Sequence, residues 1–307
     1  MLAYNTSLKG NNRIKPKKEW GKSLFILCGL IPVIAWSFFF MAYPLFTAIS
    51  RSFTDWALSS RGINFIGLDN YTHMLQDRVF LTALKNTFMA IVYVVPLTIV
   101  LSTTLAILLN SVRDYQREFF TPIYFLPSIT SAVAIASVWR WLYHPSFGLV
   151  NYFLGLVGIA PQPFIKDVAQ ALPSVSMVQV WQETGYYAII ILAALKAIPR
   201  VYYEACRIDG AGPWNRLFRI TLPLIKPNIL FVSIMSIIGT FQIFVPIDIM
   251  TKGGPGDATQ VLALYIYQTG VKRLDMGYAS AVAMVLFAMI MIITALQWRF
   301  ARTDWDY

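Results

Sequence analysis

PRVYYEACRIDGAGPWNRLFRITLPLIKP, residues 199–227, is a polar, basic island between two long apolar segments. Two membrane helices can be joined by a tight turn, so an island of this length needs its own explanation. Pro199 can open a helix at its first position, where the missing N–H is not needed. Tyr202, Tyr203, Ala205 and Cys206 then supply a mostly apolar face, with Glu204 and Arg207 on other sides. Asp209-Gly210 ends that helix, because glycine accepts the left-handed conformation of a C-terminal cap. Gly212-Pro213 opens a second helix with Trp214, Leu217 and Phe218 at helical spacing, while Asn215, Arg216 and Arg219 turn away. Pro223 and Pro227 are expected to close it. The stretch thus predicts a short helix–turn–helix with an aromatic stripe. Such a pair either docks another protein or lies as an interfacial pair against lipid headgroups.

The flanking chain makes the island a membrane loop. Of 307 residues, 57% are hydrophobic and 13% charged, against about 25% charged in soluble domains. The net charge of +10 could suggest nucleic acid, but the basic residues cluster at the ends of apolar runs, where they orient membrane helices. Six runs are long enough for a hydrocarbon core of about 30 Å: 24–48, 87–109, 119–143, 175–198, 229–250 and 278–298. The predicted fold is therefore all-α, a polytopic protein with six transmembrane helices. Lys and Arg set its orientation: residues 1–22 and the 196–227 loop carry six each, joined by Arg113, Arg117, Arg299 and Arg302. That asymmetry predicts cytoplasmic termini and a cytoplasmic island. The segments are a basic tail (1–22), a first helix with external loop (23–83), a core membrane domain (84–300) holding the 199–227 loop, and a C-terminus (301–307). The polar, basic start and the length of the first apolar run predict no cleavable signal peptide.

Polar side chains inside spans need a partner or a wet cavity. Gln179, Glu183 and Tyr186 follow i, i+4, i+7 spacing on one face of the fourth span, beside Gln182, and are expected to line a solute path. Ser128, Thr130 and Ser131 follow Pro127 in the third span; Ser233, Ser236, Thr240 and Gln242 lie in the fifth. Ser128, Ser236, Thr240 and Gln242 are expected to join the solute path, although for any single Ser or Thr interhelical hydrogen-bonding glue is the commoner role. Arg140, near the outer end of the third span, is a candidate to neutralise Glu183. Pro32, Pro44, Pro96, Pro127 and Pro246 lie in or beside spans and read mostly as kinks needed for packing.

No catalytic constellation is visible. Gly21-Lys22-Ser23 invites a phosphate-loop reading, but the glycine that motif requires falls at Pro16, so it is rejected. Two cysteines and two histidines, widely separated, predict neither a disulfide nor a metal site.

The island also carries a resemblance. Glu204-Ala205-Cys206, Gly210 and Ile220-Thr221-Leu222-Pro223 resemble the EAA signature of permease subunits of binding-protein-dependent ABC importers, with Cys206 in place of the usual second alanine. Asp209-Gly210-Ala211, Phe218 and Pro227 match its extended form in carbohydrate permeases. Ser52–Trp56, Gly67–Tyr71, Thr251–Gly256 and Gly277–Ala281 are similar to further sugar-permease segments, so the likeness runs from about Leu24 to the C-terminus. The closest general likeness is to the first permease of maltose-type systems, with the type I permease (MetI-like) fold. The resemblance implies a multi-pass subunit of the bacterial cytoplasmic (inner) membrane that is not an enzyme and has no cofactor of its own. ATP and Mg would sit on two partner ATP-binding subunits. A second permease would complete a heterodimer, and an extracytoplasmic solute-binding protein would deliver a sugar or oligosaccharide. Glu204, Ala205, Asp209, Gly210, Ala211, Trp214 and Phe218 would couple to the ATPase, with Trp214 and Phe218 anchoring in its groove or packing back on the permease. Glycerol-3-phosphate or an acidic saccharide is the alternative solute. A self-contained secondary transporter is the rival from another class.

Overall fold

The computed structural model describes residues 20–58 and 62–301. Most of the basic tail (1–22) and all but the first residue of the C-terminal segment (301–307) lie outside the described residues. The chain divides into two units, Met1–Thr47 and Ala48–Tyr307.

In the first unit, α1 (Trp20–Ser37) passes through a π-helical turn (Phe38–Ala42) into α2 (Tyr43–Arg51), which runs on into the second. Its apolar residues face outward all round: Ile34, Trp36, Phe39, Phe40 and Met41 are all more than half exposed. A helix apolar on every side is a membrane helix.

The second unit is helical throughout, and its described residues include only two isolated β-bridges, Thr54–Phe65 and Ala57–Asp275. In chain order come α3 (Asp69–Met74), α4 (Arg78–Ser111), α5 (Asp114–Ile129), α6 (Ala132–Leu142), α7 (Leu149–Leu156) and α8 (Ala171–Ala197). They are followed by α9 (Arg200–Ile208), α10 (Pro213–Arg216), α11 (Leu222–Phe241), α12 (Val245–Met250), α13 (Leu262–Tyr267) and α14 (Met276–Ala301). Helix α8 packs chiefly against α4, and α5 and α11 also lie against it. Ala106, Tyr187, Ile191, Leu195, Ile225 and Val232 fill the junction of α4, α8 and α11. A second core of Phe80, Ala83, Phe241, Tyr265 and Val282 joins α4, α11, α13 and α14. A third, with Ile135, Val178, Ile247 and Leu264, binds α6, α8, α12 and α13.

Four helical stretches are long and apolar enough to cross a bilayer: Ile26–Arg51, Arg78–Ser111, Pro213–Phe241 and Met276–Arg299. The α5–α6 pair makes a fifth if counted as one bent span. The remaining expected span corresponds to α8, whose 27 residues reach about 40 Å at 1.5 Å each. The polar run Gln182-Glu183-Thr184 dilutes its apolar character.

Two sequence expectations need correction. The third span, expected as one helix over 119–143, breaks by 94° between α5 and α6. Thr130 and Ser131 both adopt extended ψ angles, of 143° and 126°. Pro127 supplies no N–H to the preceding turn, and the Thr130 hydroxyl donates to the Leu126 carbonyl at 2.8 Å. Pro127 therefore marks a break rather than a packing kink. Nor do Pro223 and Pro227 close the second island helix. Residues Pro213–Phe241 form one helix through a π-helical turn at Leu217–Thr221, where Leu222 N–H reaches Leu217 O. The widened turn relieves the clash of the Pro223 ring with the carbonyl behind it.

Candidate functional site

The polar face of α8 opens into a cleft of about 620 Å³. Ser128, Gln179, Gln182, Glu183, Tyr186 and Gln242 contribute its polar groups, with Phe244, Val245 and Pro246 along one side. Helical spacing puts the α8 residues on one face, and the broken third span brings up Ser128 and Ala132. Gln179 Nε2 donates to Glu183 Oε1 one turn away. Ser128 Oγ donates to the Gln182 carbonyl at 2.7 Å, fastening α5 to α8. Ser236 and Thr240, by contrast, are fully buried and absent from the lining. Thr240 bonds back to the Ser236 carbonyl at 2.7 Å, and Ser236 Oγ lies 3.5 Å from Glu183 Oε2. Ser233 receives Gln297 of α14 at 3.2 Å. The stripe on α11 thus joins helices.

Arg140 lies apart from Glu183. It lines a different cleft and reaches the Ile249 carbonyl at 3.4 Å. Amide and hydroxyl groups, the half-exposed Tyr186 ring and a carboxylate without a cationic neighbour in the lining can hydrogen-bond a polyhydroxylated solute and stack on its apolar face.

Two glycines shape this cleft. A Cβ on Gly185 would run into the Tyr124 carbonyl, so the backbones of α5 and α8 touch there. Gly239 of α11 gives way to Glu183, whose Oε1 would lie 3.4 Å from a Cβ. Small residues allow close helix approach in membranes, but which glycine does so depends on a remote backbone.

At the island, α9 ends in a Schellman motif. Ala211 N–H bonds the Cys206 carbonyl at 2.9 Å, and Gly210 N–H bonds that of Arg207 at 3.2 Å. Gly210 has φ +70° with open space where a Cβ would sit. The inward face of α9 is narrower than the sequence indicates: Tyr203 and Cys206 are half-buried, whereas Tyr202 and Ala205 are exposed. Tyr203 hydroxyl and Thr221 hydroxyl lie 3.2 Å apart, tying the island together. Glu204, Asp209 and Gly210 are exposed and Ala211 half-buried. Trp214 and Phe218 stack at 5.9 Å with 70% and 59% exposure. Val201 and Ile208 of α9 are likewise exposed, at 70% and 87%, and apolar surface of this kind gains from being covered.

The opposite end is braced by residues sequence reasoning missed. Asp77 caps α4 through the Val79 and Phe80 amides and accepts bonds from the hydroxyls of Tyr265 and Tyr278. Burial pushes the Asp77 carboxyl up, but those hydroxyl and amide bonds together hold it below its usual value. Asn86 Nδ2 reaches the carbonyls of Asp257 and Gln260, each at 2.9 Å. Asp77 before an apolar helical run is a legible cap; the tyrosines it gathers are not.

Among the described residues, no cluster of three or more metal-binding side chains occurs. A family model described as "Binding-protein-dependent transport system inner membrane component" matches residues 98–303. The sulfoquinovosyl glycerol transport system permease protein SmoG of Agrobacterium fabrum is 34% identical, the match covering 93% of this chain and 92% of that protein. The diacetylchitobiose uptake system permease protein NgcF of Streptomyces coelicolor is 33% identical, over 94% of this chain and 85% of its own. Among solved structures, a chain of a bacterial alginate ABC transporter, in complex with an alginate pentasaccharide-bound periplasmic protein, superposes with a TM-score of 0.81 at 25% identity. That match covers 93% of this chain and 96% of the other.

Proposed function

The chain belongs to the family of binding-protein-dependent transport system inner membrane components, and we propose that it forms one permease half of an ATP-driven importer for a neutral saccharide. It is a multi-pass protein of the inner membrane, with the 199–227 island on the cytoplasmic side by its basic charge. There Glu204, Ala205, Asp209, Gly210 and Ala211 present a tight turn to an ATPase subunit, and Trp214 and Phe218 fill an apolar groove on it. Two such subunits hold the ATP and Mg, and a second permease closes the path. An extracytoplasmic binding protein delivers the solute.

One observation carries the choice of solute: Glu183 faces the cleft among Gln179, Gln182, Ser128, Gln242 and Tyr186, and no Lys or Arg lines it. An anionic solute would find no cationic group in this lining to take its charge. A sugar instead finds hydroxyl partners and an aromatic face. The similar alginate transporter handles an acidic polysaccharide, which makes charge the property to test. The tagged chain would be purified from its native membrane after mild crosslinking, partners identified by mass spectrometry, and the complex reconstituted for uptake. An ATPase, a second permease and a binding protein are expected, with uptake of neutral saccharides and none of uronic-acid oligomers or glycerol-3-phosphate. Transport by the chain alone without ATP would overturn the importer reading; preferential uptake of the anions would overturn the solute assignment.

A further inference from the structure

At the end of the molecule away from the island lies a second cleft, of about 450 Å³. Arg140 enters it from the last turn of α6, Lys166 from the short turn at Phe164–Lys166, and Lys252 from the loop after α12. His144, stacked on Phe147 at 3.5 Å, forms a further wall. No carboxylate lines the cleft. Among the described residues none of the three cations forms an ion pair, and the 3.4 Å contact of Arg140 with a carbonyl is a weak one. The neighbouring Asp167 turns to its own backbone, accepting from Ala169 and Gln170 N–H at 2.9 and 3.0 Å.

The backbone that carries Lys252 is held in place. Lys252 has a left-handed φ of +56°, which a non-glycine residue keeps only where its surroundings dictate it. Its N–H bonds the Ile247 carbonyl at 2.8 Å. The hydroxyls of Thr251 and Thr259 lie 2.7 Å apart, and Thr259 reaches the Gly254 carbonyl at 2.9 Å. Asn86 of α4 ties down the far side of the loop. Three exposed like charges, without a counter-charge in the lining, form a receptor for a carboxylate.

We infer that this cleft receives an acidic side chain of the extracytoplasmic solute-binding protein when that protein docks. The inference rests on the importer reading above. It names the binding protein rather than the solute because of what lies next along the same helices. The cleft holding Glu183 begins at Ala132 and Val245, at the other ends of α6 and α12. Eight residues of α6, about 12 Å, separate Ala132 from Arg140. An anionic solute drawn in by Arg140, Lys166 and Lys252 would next meet Glu183, and a neutral saccharide gains little from the cations. A docking protein uses them fully: its carboxylate stays at the mouth and the charge steers its approach.

The test uses the complete transporter in nanodiscs, with ATPase activity measured against the concentration of its binding protein at low and high salt. Lys252→Glu and Arg140→Glu should each raise the half-saturating concentration about ten-fold at low salt. Lys252→Gln, which removes the charge without reversing it, should raise it less. Plateau activity should be reached at higher binding-protein concentration, and high salt should narrow the differences. A wild-type complex stimulated by its binding protein, with half-saturation unchanged in all three variants, overturns the inference and leaves the importer reading standing. Unchanged half-saturation with altered KM for anionic solutes overturns it too, in favour of a solute subsite. A wild-type complex that no binding protein stimulates overturns the importer reading and the inference with it.

Discussion

Gly185→Ala should damage the crossing of α5 and α8 far beyond its size of one methyl group. The added Cβ would sit against the Tyr124 carbonyl oxygen, 2.6 Å from the Tyr124 carbonyl carbon and 3.1 Å from Phe125 N, all backbone atoms. Ordinary contacts between such atoms begin at about 3.5 Å, so α5 must retreat by about 1 Å or more. Overpacking of this kind costs about 1–3 kcal/mol. The same retreat stretches the 2.7 Å bond from Ser128 Oγ to the Gln182 carbonyl past useful length, adding about 1 kcal/mol. The expected loss is about 2–4 kcal/mol, or a melting shift of roughly 5–10 °C. Thermal unfolding of the purified complex in detergent measures it. Gly239→Ala is the control, because its Cβ would meet only Glu183 Oε1 at 3.4 Å. It should leave the melting temperature within about 2 °C of wild type while altering solute affinity through Glu183. A Gly185→Ala complex that melts with the wild type would refute the backbone contact and the argument built on it.

Gly210→Val places a β-branched residue at φ +70°, costing about 1–2 kcal/mol; ATP hydrolysis should uncouple from uptake while membrane insertion is unchanged, and normal uptake per ATP would count against the coupling role. Glu183→Gln removes the one carboxylate of the cleft and should admit acidic saccharides that the wild type rejects, measured by competition in proteoliposomes; an unchanged selectivity would remove Glu183 from the path. Asp77, held below the usual carboxylate value of 3.8, gives stability that is present above the unfolded carboxyl's range and lost as pH falls through its lowered folded value. Asp77→Asn should therefore lower the melting temperature at pH 7 and flatten its decline in acid; equal pH profiles would show that the tyrosine bonds do not depend on charge.

What could be read from sequence was what depends on near neighbours. Gly210 was legible because a Schellman cap is completed within six residues, from Cys206 to Ala211. The Gln179–Glu183–Tyr186 face was legible because one helix fixes its own periodicity. The 94° break was hidden because hydropathy counts straight through Thr130 and Ser131, and Pro127 alone permits either a kink or a break. Ser236 and Thr240 shared a stripe in sequence, yet periodicity gives a direction without the neighbour, and the neighbour is buried protein. Gly185 looked like Gly239, and only the Tyr124 backbone distinguishes them. The tyrosines gathered by Asp77 come from residues 265 and 278, beyond any local signal. Whether Trp214 and Phe218 face outward or pack back was open in sequence, because spacing gives a stripe without its neighbour, and the helix below them continued where prolines were expected to stop it.

That continuity makes the second half of the island and the fifth span a single mechanical part. Pro213–Phe241 is a 29-residue helix, about 43 Å long, with Trp214 near one tip and Gly239 near the other. A tilt of about 5° pivoted near Gly239 displaces the Trp214 end by about 3 Å. Helix α9 ends at the left-handed Gly210 and is not continuous with this helix; it meets it through the Tyr203–Thr221 hydroxyl contact. If Trp214 and Phe218 bear on an ATPase as proposed, a push on that tip would reach, through one helix, the glycine beside Glu183.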